Sequence, residues 1–106
     1  MVYELRTYDV KPEHLAAYLQ LWEEHGLTVR GGGLYGQLIG FWVSDVGALN
    51  QVIHLWAYES AAERTRLRTA LMKDARWTHD FLPRALPMLD RMQSSMLQPT
   101  SFSPLV

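Results

Sequence analysis

The sequence predicts an α+β domain of ferredoxin-like type, in which a four-stranded antiparallel sheet carries helices on one face. The predicted elements run in the order strand, helix, strand, strand, helix pair, strand. Residues 50–58, Asn-Gln-Val-Ile-His-Leu-Trp-Ala-Tyr, alternate between two faces that are both too apolar for water, which is typical of a strand inside a sheet. Right-handed crossovers then make the first and third strands central neighbours.

Two different periodicities predict the first strand and the first helix. Side chains alternate between two faces over residues 2–8, which predicts a strand. Pro12 suits the first position of a helix, where its missing N–H removes no hydrogen bond. The apolar residues that follow at helical spacing are Leu15, Leu19 and Trp22. Gly26 is the predicted C-cap, so the helix is expected over residues 12–25.

Three consecutive glycines, 31–33, precede the second strand. They are predicted to form a permissive turn rather than a phosphate loop, because a strand follows them and no Lys-Ser or Lys-Thr pair does. The second strand is predicted over residues 34–44, with Leu38 and Trp42 on the same face. The third strand is the stretch at 50–58.

A capping box, Ser60-Ala61-Ala62-Glu63, starts the second helix. The arginines of this helix are predicted to lie on or near its solvated side; they are Arg64, Arg66 and Arg68. Asp74 is the predicted N-cap of a third helix. Its apolar face consists of Trp77, Phe81, Ala85, Met88 and Met92. Pro83 and Pro87 are expected to kink or break this helix.

The last strand is predicted over residues 93–98, at an edge of the sheet. Two prolines in the tail that follows forbid regular pairing. Phe102 and Leu105 are apolar, so we expect the tail to pack against other parts of the protein.

Composition limits the classes of function. The 106 residues suit one domain, 1–106. The formal net charge of -1 gives no support to nucleic-acid binding or to binding of an anionic membrane surface. The absence of cysteine excludes disulfides, thiolate metal sites and cysteine nucleophiles. We see no leader pattern and no run of membrane-spanning length, so we expect a cytoplasmic protein.

The helices can cover only one face of the sheet. We expect them to cover Leu5, Ile53 and Leu55, which are aliphatic. The other face would then present an apolar patch larger than a soluble monomer usually exposes. This patch consists of Tyr8, Trp42, Val52, Trp56 and Tyr58. A second copy would bury it, so the sequence predicts a homodimer with a barrel-like core.

Several segments of the chain resemble the NIPSNAP family. They are Tyr3-Glu4-Leu5-Arg6-Thr7-Tyr8, Lys11-Pro12, residues 49–58, Trp77 with Phe81-Leu82, and Pro99 followed by residues 102–105. The resemblance covers essentially the whole chain and implies a dimeric α/β-barrel, related in fold to small monooxygenases and stress-responsive barrel proteins. Family members have no well-defined biochemical activity. Animal members are linked to mitochondria and to vesicle or mitophagy processes, which are not carried over to this chain. The chain departs from the family pattern at Pro83, since a proline is not expected in the family's third helix.

Polar and aromatic side chains on the two central strands form the candidate site. On the first strand they are Glu4, Arg6 and Tyr8, and on the third strand Asn50, His54, Trp56 and Tyr58. If the two faces coincide, these residues line a small pocket, with His54 as candidate general base and Arg6 holding a phenol- or enol-derived anion. The structural alternative is a Glu4–Arg6 pair and a hydrogen-bonded His54 within the dimer core.

The remaining histidines, His14, His25 and His79, have no partner at metal-ligand spacing, so no metal site is predicted. No cofactor is predicted. Haem remains an alternative, because related barrels bind it through a histidine between sheet and helix. Two functions remain open. The first is a non-catalytic dimer that binds a small apolar or aromatic ligand or a protein partner. The second is a cofactor-free monooxygenase that acts on an aromatic or enolisable substrate.

Overall fold

The sheet of the computed structural model, which describes residues 1–106, has the strand order β2-β3-β1-β4. The strands are β1 (Val2–Val10), β2 (Gln37–Val43), β3 (Gln51–Tyr58) and β4 (Leu89–Leu97). All neighbouring strands pair antiparallel. This is the predicted ferredoxin-like topology, with β1 and β3 in the centre and β4 at an edge.

The first helix, α1, runs over residues 12–30 and is longer than predicted. Its segments are Pro12–His14 (3-10), Leu15–Leu21 (α), Trp22–Gly26 (π) and Leu27–Arg30 (α). Gly26 is not a C-cap: it is buried, has helical φ, and a Cβ at this position would clash with the Trp22 ring. The helix ends at the three glycines, where Gly33 has a φ of +86°.

The second helix, α2 (Ala61–Leu71), begins as the capping box predicts. The side-chain oxygen of Ser60 accepts a hydrogen bond from the backbone N–H of Glu63 at 3.0 Å. Arg66 forms an ion pair with Glu63 at the solvent-exposed side of α2. Arg64 bonds Glu4 in the sheet instead, so the prediction of a solvated side is wrong for Arg64.

The third helix, α3, changes its helix type next to its prolines but is not broken there, so the predicted break is wrong. Its segments are Arg76–Phe81 (π), Leu82–Ala85 (α) and Leu86–Met88 (3-10). Asp74 caps it by accepting a hydrogen bond from the backbone N–H of Arg76 at 3.0 Å. Met92 was expected on this helix, but it lies in β4, because the chain becomes extended at Leu89. None of the three helices has the length and apolar character of a membrane span.

The helices cover the face of the sheet opposite to the predicted one. The register of β1 with β3 sets Arg6 beside His54 and Glu4 beside Trp56, and all four residues are buried beneath the helices. The rings of Trp22 in α1 and Trp56 in β3 lie 6.1 Å apart. The helices present aromatic rings to the sheet, so they pack on its aromatic face. The aliphatic face, to which Leu5 and residues 53 and 55 belong, is left open.

The predicted exposed patch is therefore mostly core. Tyr8, Val52, Trp56 and Tyr58 are all buried in the helix-covered layer. Trp42 is the exception, because its side chain is 52% exposed on the open face.

A bulge in β2 explains why Leu38 and Trp42 lie on opposite faces, contrary to the prediction. Leu38 pairs with Trp56, and the register then shifts before Gly40, so that Trp42 pairs with Ile53. The extra residue reverses the alternation of the strand. Trp42 therefore faces the open side of the sheet, whereas Leu38 packs against the core.

The C-terminal tail packs on the open face only in part. The Tyr3 hydroxyl donates a hydrogen bond to the backbone carbonyl of Val106 at 3.3 Å, and Leu105 lines one groove together with Leu55. Phe102 is 84% exposed, so the expectation that it packs is not met within one protomer.

Candidate functional site

A cavity of about 150 Å³ lies between the sheet and the helices. Its polar lining comes from three arginines, Arg6 in β1, Arg30 in α1 and Arg68 in α2. The other eleven lining residues are aromatic or otherwise apolar; they are Tyr8, Tyr18, Trp22, Met72, Trp77, Phe81, Leu82, Ala85, Leu86, Leu89 and Met92. Because Met72, Leu86 and Met92 are exposed, the cavity opens between the end of α2, α3 and β4.

The two polar faces predicted from the sequence do coincide, but only part of the predicted set lines the cavity. Arg6 and Tyr8 line it. The buried residues beside them are Glu4, His54, Trp56 and Tyr58. Asn50 lies apart, in a left-handed turn with a φ of 60°, where its carbonyl accepts a hydrogen bond from the Val10 N–H at 2.9 Å.

Glu4 anchors a buried ionic network. Its carboxylate accepts hydrogen bonds from Arg6, from Arg64 at both oxygens, and from the Ser94 hydroxyl. Burial acts to raise the pKa of Glu4, but the bonds from Arg64 and Ser94 and the charge of Arg6 lower this pKa to about 2. The predicted Glu4–Arg6 pair is present, with Nη1 of Arg6 3.1 Å from Oε2 of Glu4. This carboxylate accepts four hydrogen bonds, so its charge is already balanced by the groups that surround it.

His54 is fully buried and does not line the cavity. Its Nδ1 accepts a hydrogen bond from the Trp56 indole, and its ring stacks on Phe41. Burial, followed by the charges of Arg30 and Arg6, lowers the pKa of His54 to about 3. The imidazole is therefore a weak base, held away from the space that a substrate could occupy. No three His, Asp or Glu side chains cluster in a way that could hold a metal ion.

Arg30 is a site residue that the sequence reasoning missed. It is 1% exposed, and its guanidinium lies 3.8 Å from the centre of the Trp56 ring. Its Nη2 donates its one side-chain hydrogen bond, to the Tyr58 hydroxyl at 3.4 Å. The apolar spacing of α1 continues to Val29, and this signal extends the helix to Arg30 once Gly26 is placed inside the helix.

Arg68 is the second site residue that the sequence reasoning missed, because the prediction that it lies on or near the solvated side of α2 is wrong. It lies one turn after Arg64, and its half-buried side chain lines the cavity. Burial, followed by the charge of Arg6, lowers the pKa of Arg68. The signal was present in the sequence: Arg64, Arg68 and Leu71 recur at helical spacing and thus share one stripe of α2. Arg66, two residues from each of the other two arginines, lies off this stripe.

The NIPSNAP family profile matches residues 3–104. The chain belongs to the NIPSNAP family. The human protein NipSnap homolog 3A is 33% identical to this NIPSNAP chain over 95 residues, which make up 89% of the chain and 37% of the human protein. The chain thus spans 37% of the length of that curated relative. The family resemblance predicted from the sequence is confirmed.

Solved structures confirm the fold of this NIPSNAP chain. A NIPSNAP family protein from Agrobacterium tumefaciens matches it with a TM-score of 0.94 and 37% identity, over 99% of this chain and 98% of that one. An antibiotic biosynthesis monooxygenase matches with a TM-score of 0.66 and 12% identity, over 94% of this chain and 99% of that one. At that identity, the second similarity shows a shared fold alone.

Proposed function

We propose that this NIPSNAP protein binds a small apolar or aromatic molecule in the cavity between its sheet and its helices. The observation that carries the proposal is the cavity itself, with a volume of about 150 Å³ and a largely apolar lining. An apolar cavity of about this size accommodates benzene in another protein. The ligand is therefore expected to contain about one six-membered ring.

The walls of the cavity favour an aromatic ring. Trp77 and Phe81 stack with ring centres 4.4 Å apart, and the Phe81 ring lies 5.0 Å from that of Trp22 in a T-shaped arrangement. Aromatic side chains offer both ring faces and ring edges to a bound ring, which adds to the stabilisation from burial. These rings are held by the surrounding core, so the site is formed before a ligand arrives.

The test is binding of toluene by the protein, followed by NMR, with a variant that fills the cavity. Ala85 lines the cavity and is buried, so Ala85→Leu should occupy the space of the ligand. We expect toluene to shift the amide signals of cavity residues in the parent protein and to have no such effect on Ala85→Leu. Ala17→Leu, at an exposed position of α1, is the matched control. Equal toluene shifts in the parent and in Ala85→Leu would contradict the proposal.

The monooxygenase activity expected as the alternative remains a prediction. His54 was its candidate base, and the cavity lining contains arginines and tyrosines but no histidine or carboxylate. Burial raises the pKa of Tyr8, which makes its phenol a poorer proton donor and keeps it neutral. The geometry therefore favours binding over catalysis. Measurement of oxygen uptake with phenolic substrates checks this directly.

We also propose that a second copy covers the open sheet face, so that the protein is a homodimer. The support comes from the aliphatic side chains on that face, Leu5, Ile53 and Leu55, and from the exposed indole of Trp42 beside them. A protomer that leaves such a face in water is less favourable than a two-fold pair that buries it. The face differs from the one predicted, whereas the predicted partner is the same.

A further inference from the structure

Three residues that line the cavity also carry buried hydrogen-bond donors without acceptors. Four buried side-chain polar atoms have no hydrogen-bond partner, and three of them belong to residues that line the cavity: Arg6 Nε, Arg30 Nε and Trp77 Nε1. A guanidinium Nε–H and an indole N–H can only donate. Arg6, Arg30 and Trp77 are all at least nine-tenths buried, so bulk water does not supply the missing acceptors. The layer that lines the cavity is therefore rich in hydrogen-bond donors and poor in acceptors.

Arg30 is a buried cation without a counter-charge. It forms no ion pair, and its neighbours are the aromatic rings of Trp56 and Trp77, with ring centres 3.8 and 5.3 Å from the guanidinium carbon. Burial lowers the pKa of Arg30 to about 10, so it stays protonated at neutral pH. Cation–π contact offsets only part of the cost of removing the charge from water. A second charge of opposite sign would complete the environment of Arg30.

The charges around the cavity do not balance. Arg6, Arg30 and Arg68 line it, and Arg64 lies next to Arg6 through their shared carboxylate, Glu4. Glu4 is engaged by Arg6, Arg64 and Ser94, and neither Arg30 nor Arg68 bonds it. This part of the protein therefore holds four guanidinium groups and one carboxylate. The excess is positive, although the formal net charge of the whole chain is -1.

We propose that the cavity binds a small carboxylic acid with one apolar or aromatic ring, whose carboxylate accepts hydrogen bonds from Arg30 and Arg6. This proposal rests on the proposed ligand-binding function and specifies the ligand's charge. A carboxylate matches the forked donor geometry of arginine, and its bonds to a guanidinium are stronger than those between neutral groups. The ring occupies the apolar part of the cavity against Phe81 and Leu82. Arg68 is half-buried in the lining and attracts the anion.

The first experiment compares benzoate, benzamide and toluene by titration of the whole chain, monitored by NMR. The three probes have a ring of the same size and differ in charge and hydrogen bonding. We expect benzoate to bind at least about tenfold more tightly than benzamide, as one charge-assisted contact implies. Equal binding of benzoate and benzamide, with toluene still bound, would overturn the acid proposal and leave the ligand-binding function standing. Failure of all three probes would overturn both.

The second experiment removes the charges one at a time. Arg30→Met keeps an unbranched apolar chain over Trp56, and we expect it to weaken benzoate binding at least about tenfold while toluene binding stays within about twofold. Removal of an unpaired buried cation should also make the unliganded protein more resistant to urea.

If Arg30→Met does not fold, Arg68→Gln tests the same charge requirement from the half-buried position. Arg66→Gln, on the solvent side of the same helix as Arg68, is the matched control and should bind benzoate like the parent. Unchanged benzoate affinity in Arg30→Met, or in Arg68→Gln where the first variant does not fold, contradicts the proposal.

Discussion

The indole nitrogen of Trp56 donates a hydrogen bond to Nδ1 of His54 at 2.6 Å. An indole N–H cannot accept, so Nδ1 must be unprotonated and the imidazole proton must lie on Nε2. That Nε2 has no hydrogen-bond partner, and the ring stacks on Phe41 with centres 4.8 Å apart. The folded protein thus holds His54 as one neutral tautomer, with its pKa lowered to about 3 by burial and by the charges of Arg30 and Arg6.

The first prediction is that stability falls as pH decreases through the range in which His54 charges only in the unfolded chain. The ordinary pKa is 6.5 and the folded pKa is about 3, so the unfolded state binds the extra proton between these values. The contribution of neutral His54 is complete above pH 6.5 and is lost as pH falls toward 3. We expect the free energy of unfolding to fall by up to about 1.4 kcal/mol per pH unit between pH 6 and 5. Urea denaturation across this range measures the slope.

His54→Asn tests the source of this slope. The asparagine amide oxygen can take the place of Nδ1 and accept the Trp56 N–H bond, but it does not titrate. We expect a flatter dependence of stability on pH in this variant. His79→Asn, at an exposed position, should keep the slope of the parent. A parent-like slope in His54→Asn would mean that another group titrates in this range.

The second prediction concerns the loss of the Glu4 charge. Glu4→Gln leaves Arg6 and Arg64 beside a neutral amide in a buried layer, so we expect it to destabilise the protein by about 3–5 kcal/mol at pH 7. The folded pKa of Glu4 is about 2, below its ordinary 4.5, so this contribution is present above pH 4.5 and is lost as pH falls through 2. Chemical denaturation measures the difference. The matched control, Glu63→Gln, removes a carboxylate from the solvent-facing pair with Arg66 and should have a much smaller effect.

The third prediction is that Gly26→Ala destabilises the protein, although alanine ordinarily favours a helix over glycine. A Cβ at Gly26 would clash with the buried Trp22 ring and lie 3.0 Å from the Phe81 ring. We expect Gly26→Ala to lose about 1–3 kcal/mol, since the aromatic layer must shift to admit the methyl group. In Gly32→Ala the new Cβ meets no atom within 4 Å, and the change should stay within about 0.5 kcal/mol. Thermal or urea unfolding of the two variants compares them; equal stability would show that Trp22 moves freely.

The fourth prediction is that a charge on the open sheet face separates the homodimer. Trp42 is exposed on this face, so Trp42→Lys should place an ammonium in the proposed contact and yield single protomers. Ala17→Lys, at an exposed position of α1, should leave the dimer intact. Sedimentation at micromolar concentration gives the result. A parent protein that sediments as single protomers under these conditions removes the basis for the homodimer.

Local patterns were sufficient for the element order, and the element order was sufficient for the topology. The alternation in 2–8 and 50–58, together with the capping box at Ser60, places strands and helices in an order that right-handed connections can arrange in few ways. The convergence of Arg6 with His54 also follows, since residues paired across two antiparallel strands share a face. The candidate polar cluster was therefore within reach of the sequence.

The cavity lining was only partly within reach. Arg6 and Tyr8 were predicted as binding residues, whereas Arg30 was missed because Gly26 resembled a helix end. A glycine that admits a neighbouring ring and a glycine that ends a helix look alike in one sequence. What distinguishes the two cases is the position of the Trp22 ring. That position depends on its packing against Phe81, a residue far away in the chain.

The pattern of residues along the chain is enough to predict the ferredoxin-like order, the central pair of strands, the family and the shared face of Glu4, Arg6 and Tyr8. Which face of the sheet the helices cover depends on packing between distant segments, and this packing also brings the arginines together in a cavity instead of leaving them in solvent. The physical reason is that a two-residue period separates the faces of a strand but does not rank them when both are apolar. Trp22 of α1 packs on Trp56 and His54, and the α3 rings of Trp77 and Phe81 pack in turn on Trp22, so the aromatic face of the sheet is the one that is covered.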